Sequence, residues 1–288
     1  MSSSLETNSG VGGQMRAARS RTPGGARLRA VREAVGKTQL WVEVEADLGT
    51  GYVQRVESGK VVQPERVTLE RILTALEARY SERREVLELF GYTVTTTPPT
   101  GEEVAWAQEV CRQPLRELPF PAYVLDCTHR LVAWNRYVPL LFGIAPADPS
   151  LGGLAGKSLL AAWFDAASPL APLVAEPDQF FPANIRALRY EMQQFRTEPW
   201  YTGVLARLDA LPRFRRYWAL AEQEPAPVSA ARALVPVRLA VPGVGLLLFR
   251  LASEPFVRDA RFRMIDYFPA DPATMRQCAA WADQDGGG

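Results

Sequence analysis

Apolar residues recur at helical spacing through the first third of the chain. Leu28, Val31 and Val35 share one side of a segment over 26–35, which Gly36 ends. Leu69, Ile72, Leu73 and Leu76 stand at i, i+3, i+4 and i+7, so the pattern predicts a helix over 68–78 packed on a core. Ser81, with Glu85 nearby, opens a further helix in SERREVLELFGY, closed by Gly91. Between these segments, TQLWVEVEADLGTGYVQRVESG at 38–59 divides into two short helices, 38–46 and 50–58, across a tight turn at 47–49. Val42, Ala46, Leu48, Val53 and Val56 supply its apolar positions. Two short helices across such a turn have the shape that fits a DNA major groove.

After residue 92 the period changes. TVTTTPPT at 93–100 reads as a linker, because β-branched residues and Pro-Pro cannot continue a helix. A helix over 102–113, carrying Val104, Trp106 and Val110, is expected to join two domains. PAYVLDCTHRLVAWN at 121–135 alternates as a β-hairpin with a polar turn at Thr128–Arg130, followed by a helix over 135–142 that Gly143 stops. Residues 158–222 read as helices broken by prolines, with Ile185, Leu188, Met192 and Phe195 on one face. RALVPVRLAVPGVGLLLFRLA at 232–252 gives two strands across a turn, FRMIDYF at 262–268 gives another, and Asp271 caps a closing helix. The fold class expected is α+β in two domains. A disordered arm (1–25) precedes an all-α five-helix domain (26–92). A linker and connecting helix (93–117) lead to an antiparallel sheet with inserted helices (118–283).

Composition narrows the functions open to this chain. The length of 288 residues, 47% apolar, leaves room for two cores. No apolar run approaches the roughly 20 residues of a membrane span, and MSSSLETNSG lacks a signal-peptide core, so a cytoplasmic protein is expected. Three widely spaced cysteines argue against a disulfide framework. The single histidine, His129, argues against a Ser-His-Asp site or a His-rich metal centre. No CxxC or paired-carboxylate motif appears, and GVGG at 10–13 lacks the flanking strand and helix of a phosphate loop. An enzyme is not expected. Six arginines against one glutamate in residues 1–32 make a basic arm, either for phosphate contacts or as a solvated tail.

The 38–59 stretch resembles the helix-turn-helix of Xre-type bacterial repressors. The matching residues are Thr38–Gln39, Val42, Ala46, Leu48, Tyr52–Val53, Val56–Glu57 and Gly59, without a gap. Glu43 departs from that pattern, which has Ala, and Asp47 departs from its turn Gly. A buried carboxylate without a partner is costly, so Glu43 is expected to snorkel out or to pair with Arg55 or another cation. Val53 and Val56 face the core, which leaves Thr50, Gly51, Gln54 and Arg55 for the groove. Gln54 suits adenine, and Arg55 suits guanine or phosphate. Tyr52 offers a hydroxyl to phosphate. Gln39 is expected to hold a phosphate, as its counterpart in that family does, and Glu57 to brace the domain internally.

The hairpin, Asn135, Gly143 and GKSLL at 156–160 resemble the entry of a PAS sensor domain. The resemblance makes Asn135 a structural cap that stitches helix to strand. Taken in order, RTPGGARLRAVRE, GYVQRVESG, PAYVLDCTHRLVAWN, NIRALRYEM, RFRRYW and YFPADPAT resemble the MmyB-like transcription regulators over 26–283. That resemblance implies a bacterial regulator whose PAS-like domain binds a long-chain, fatty-acid-like ligand. The candidate ligand residues are Tyr123, Trp134, Asn184, Ile185, Arg186, Leu188, Arg189, Met192, Phe214 and Trp218. Its aromatics are either core or the lining of a long apolar cavity. Asn184, Arg186 and Arg189 stand near a helix start that would favour a carboxylate, and the alternative for both arginines is a solvated surface. No cofactor is expected: haem would have only His129, in a hairpin turn, and the Cys motif of photoreactive flavin sites is absent. The expected partners are double-stranded DNA, a fatty-acid-like molecule and a second copy in a homodimer, without a membrane. The rival is a DNA-binding regulator whose second domain is a ligand-free module for dimerisation or protein interaction.

Overall fold

The computed structural model describes residues 22–144, 153–223 and 235–283. Residues 1–21 of the arm expected over 1–25, the strand residues expected at 232–234 and residues 284–288 lie outside the described residues. The chain divides into two units between Val94 and Thr95.

Among its described residues the first unit holds five helices: α1 (Pro23–Ala34), α2 (Gln39–Glu45), α3 (Tyr52–Glu57), α4 (Arg66–Ala75) and α5 (Tyr80–Leu89). Leu28, Val42, Val53, Val56, Leu69, Ile72 and Leu73 are fully buried together. Helix α1 begins three residues earlier than its apolar spacing predicts. Thr22 caps it, accepting from the Gly25 N–H at 3.1 Å, and Pro23 occupies the first turn, where its missing N–H is harmless. Gly24 and Gly25 therefore belong to the helix and not to the arm. A Cβ on Gly25 would lie 2.5 Å from the Val56 carbonyl oxygen, and one on Gly24 would lie 2.8 Å from the Phe90 ring. These glycines let α1 approach α3 and the end of α5. Helix α5 is opened by Glu82, whose carboxylate accepts from the Arg79 N–H at 2.9 Å. Glu85 instead pairs with Arg27 of α1 at 2.7 Å.

The second unit is built on an antiparallel sheet of β1 (Ala122–Asp126), β2 (Leu131–Trp134), β3 (Val235–Val241), β4 (Gly245–Pro255) and β5 (Phe262–Pro269), in the order β2-β1-β5-β4-β3. Strand alternation gives the sheet two buried faces. Ala122, Val124 and Phe262 point to α6 (Gly101–Glu117) and pack against its Ala107, Cys111 and Leu115. The helix assigned to the connection is thus part of this unit's own core. Tyr123, Leu125, Ile265 and Tyr267 point the other way. The helices between β2 and β3 cover that face: α7 (Tyr137–Phe142), α8 (Leu159–Phe164), α9 (Pro177–Glu191), α10 (Pro199–Asp209) and α11 (Pro212–Gln223). Helix α12 (Pro272–Asp283) closes the chain. Asn135 does the stitching expected of it. Its Oδ1 accepts from the Ala122 and Tyr137 N–H groups at 3.2 Å each, and its amide donates to the Phe120 carbonyl at 2.7 Å.

The first residues of this unit are strapped to it. The Glu198 carboxylate accepts from the Thr96 N–H at 2.7 Å, the Trp200 indole donates to the Thr96 carbonyl at 2.7 Å, and Arg261 donates to the Thr97 carbonyl at 3.1 Å. Among the described residues, no helix is long and apolar enough to cross a membrane.

Candidate functional site

The first unit presents the end of α2 and the start of α3. Thr38 caps α2, accepting from the Trp41 N–H at 3.1 Å. Helix α3 starts at Tyr52, two residues later than its sequence suggests, so Thr50 and Gly51 lead into it. Gly51 is left-handed (φ 78°) and carries no side chain to cap the helix. The N–H groups of that first turn have no partner within the helix and need an acceptor, and Glu43 supplies it from α2. Its carboxylate accepts from the Gly51 and Val53 N–H groups, both at 2.9 Å. Glu43 is buried, so it neither snorkels nor pairs with Arg55 as the sequence suggested. Arg55 lies instead over the Tyr52 ring, 5.6 Å from its centroid.

Glu57 braces the domain, as expected. Its carboxylate accepts from Arg32 at 2.6 and 3.0 Å and from the Gln39 amide at 2.7 Å. The hydrogen bonds that Arg32 donates to Glu57 hold its pKa above the ordinary value despite partial burial. Gln39, expected on phosphate, has one amide N–H committed to Glu57; the NH₂ group retains a second donor. At the turn, Asp47 adopts φ 50°, the conformation for which the Xre pattern keeps Gly. Arg71 secures it through its carbonyl at 2.5 Å and its carboxylate at 2.9 Å. Thr50, Gln54 and Arg55 are exposed.

In the second unit a cavity of about 80 Å³ lies between the inner sheet face and helices α8 and α9. Tyr123, Leu125, Trp163, Leu188, Ile265 and Tyr267 give it apolar walls, and His129, Asn184, Glu191, Ser253 and Arg263 give it polar groups. Tyr123, Asn184 and Leu188 of the candidate ligand residues meet here. The others do not. Residues 184, 188 and 191 lie on one stripe of α9, whereas Arg186 and Arg189 are turned well away from it. They border a separate groove with Met192 and Trp218. There Arg189 stacks 5.0 Å from the Trp218 ring and lies 3.8 Å from Glu222. Ile185 is in the core, as is Phe214, which packs edge-on to Phe164. Trp134 borders a third groove beside Arg112 and Arg116 of α6.

Arg263 and His129, with Glu191 and Ser253, are polar cavity groups that the sequence reading missed. Arg263 stands in phase with Ile265 and Tyr267 on β5, and that phase was its only signal. His129 comes inward because Asp126 builds the β1–β2 turn. The Asp126 carboxylate accepts from the Thr128 N–H and hydroxyl and from the Arg130 N–H and guanidinium, which holds His129 at φ 64°. Nδ1 of the buried His129 meets Nη2 of Arg263. Burial, and secondarily the Arg263 charge, holds the His129 pKa well below its ordinary value. The ring is neutral, with Nδ1 accepting and the proton on Nε2. Burial also lifts the Tyr123 phenol to about 12. Cys127, the nearby thiol, is pushed up to about 12, which leaves it protonated and unreactive. Among the described residues, no cluster of His, Cys, Asp and Glu could hold a metal ion.

Comparison with known proteins agrees with this division of labour. The family model of a helix-turn-helix domain matches residues 25–86. That of the MmyB-like transcription regulator ligand binding domain matches residues 107–280, more than half of the chain. Neither describes a catalytic family. No curated protein matches the chain. With a capped helix-turn-helix in its first unit and a cavity on the inner sheet face of its second, the chain belongs to the MmyB-like transcription regulators.

Proposed function

We propose that this regulator is a cytoplasmic homodimer whose affinity for its operator is set by a fatty-acid-like molecule in the sheet cavity. Two helix-turn-helix domains read a pseudo-palindrome with half-sites about one DNA turn apart. Gln54 and Arg55 meet base edges, while Thr50, Gly51, Tyr52 and the free donor of Gln39 serve the flanking backbone. The exposure of Gln54 and Arg55 on a short helix pinned by Glu43 supports this assignment.

The observation that carries the ligand reading is the cavity itself, with apolar and aromatic walls around a few convergent polar groups. An acyl chain gains roughly 0.8 kcal/mol per buried methylene. At about 80 Å³ the cavity is smaller than the roughly 150 Å³ hole that admits benzene in an engineered core. It takes a head group and the first carbons, and a longer chain must part α8 and α9 from the sheet. That displacement gives the ligand a differential affinity for two arrangements, without which it could shift nothing. The same small volume favours a second reading, in which the domain packs without a ligand and serves dimerisation.

Native mass spectrometry of the purified protein, followed by denaturing extraction, separates the two. A dimer releasing an aliphatic acid supports the sensor. A ligand-free dimer whose operator affinity is unmoved by saturating fatty acid supports the dimerisation module.

A further inference from the structure

Two arginines that flank the first residue of β5, two residues apart, are both withdrawn from water and held in opposite ways. Arg261, 2% exposed, is saturated. It donates to both Asp259 oxygens at 3.0 and 2.8 Å, to Glu103 at 2.5 Å and to the Thr97 carbonyl at 3.1 Å. Two carboxylates meet its one positive charge.

Arg263, 9% exposed, has no such shell. Its Nη2 meets the neutral His129 ring, and its Nη1 meets the Met192 sulfur at 3.2 Å. The nearest carboxylate oxygen belongs to Glu191 at 3.6 Å, too long for a hydrogen bond, and that oxygen already accepts from the Ser253 hydroxyl at 3.1 Å. The Arg263 Nε is buried with no hydrogen-bond partner. A buried guanidinium answered by a thioether, an imidazole and a distant carboxylate is costly until an anion completes its shell.

We propose that Arg263 is the receptor for the carboxylate of the sensor ligand, and that the arriving carboxylate takes Arg263 from Glu191. This rests on the reading of the sheet cavity as the ligand site, since Arg263, His129, Asn184 and Glu191 all line it. The guanidinium fork matches a carboxylate through two parallel N–H bonds, one of them from the unmet Nε. Asn184, on the α9 stripe that faces the cavity, adds a neutral donor. The ligand class is therefore a monocarboxylic acid with an apolar tail. A neutral alcohol of the same length leaves the guanidinium as it was. Glu191 ends α9, so its release acts where that helix turns toward Phe195.

The test is calorimetric titration of decanoate and of 1-decanol into the full-length protein and its Arg263→Met, Arg263→Lys and Glu191→Gln variants. Decanoate should bind Arg263→Met at least tenfold more weakly than wild type. Arg263→Lys should recover part of the loss, and 1-decanol should bind all four proteins within about twofold. Glu191→Gln, which removes the competing anion, should bind decanoate severalfold more tightly. Decanoate binding that is unchanged in Arg263→Met overturns the assignment. Should that variant not fold, unchanged decanoate binding in Glu191→Gln overturns it equally. If neither probe binds wild type, the cavity reading falls and this proposal with it. If both bind wild type and ignore Arg263, only the receptor falls.

Discussion

Replacing Glu43 with alanine should unpin helix α3. The carboxylate holds two N–H groups, of Gly51 and Val53, at 2.9 Å each. Hydrogen bonds to a charged acceptor contribute roughly 1.5–3 kcal/mol each. The Gly51 N–H lies near the surface and can be rewetted, but that of Val53 is buried and cannot. The loss should therefore be about 2–4 kcal/mol, a large share of a domain's stability. Helix α3 has six residues and cannot persist without such support. Glu43→Gln keeps one acceptor oxygen but sets its NH₂ against the other N–H, so it should lose about half as much. The assay is amide hydrogen exchange at Gly51 and Val53, alongside urea unfolding of the first unit. Strong Val53 protection in wild type should be graded in Gln and lost in Ala. Unchanged Val53 protection in Glu43→Ala, or a stability change below about 0.5 kcal/mol, would refute the reasoning, because water or a backbone acceptor would then be serving those groups.

Three further outcomes follow from the geometry. His129 stays neutral when folded but titrates near 6.5 when unfolded, so the unfolded chain binds the extra proton as pH falls below about 6.5. Stability should then drop by up to about 1.4 kcal/mol per pH unit. As the chain has one histidine, His129→Gln should flatten the pH 5–6.5 portion of the unfolding profile measured in urea. Glu57→Ala strands the Arg32 guanidinium beside a void and should cost about 3–5 kcal/mol, whereas Arg32→Met with Glu57→Met should recover most of that in a double-mutant cycle. Gln54→Ala should lose about 1–3 kcal/mol of discrimination at one base step, read as a relaxed preference at one operator position in a binding selection.

Periodicity carried most of the architecture, and it failed where a residue's purpose lay in something distant. Leu69, Ile72, Leu73 and Leu76 are buried as their spacing requires, and β3 alternates buried and exposed along its length. Gly24 and Gly25 read as part of the disordered arm because they offer nothing to bury locally; what they permit is the approach of Phe90 and of the Val56 carbonyl, visible only in the fold. Glu43 read as a liability for the same reason. The N–H groups that need its carboxylate lie eight and ten residues away, at a helix start that Gly51 leaves uncapped.

The arginines carry the point furthest. The sequence puts Arg186 and Arg189 at a helix start, but α9 begins at Pro177 and Arg189 falls in its last turn; both face a groove away from the cavity because residues 184, 188 and 191 own the inward stripe of α9. In DARFRMIDYF, strand phase is enough to put Arg263 on the face of Ile265 and Tyr267. It cannot tell Arg263 from Arg261. The distinction lies in partners far along the chain: Glu103 and Thr97 complete Arg261 from 158 and 164 residues away, while Glu191 stops 3.6 Å short of Arg263. A buried cation becomes structural or receptive according to whether the fold itself brings the second anion. Here it brings that anion to one arginine and leaves the other, two residues on, facing a cavity.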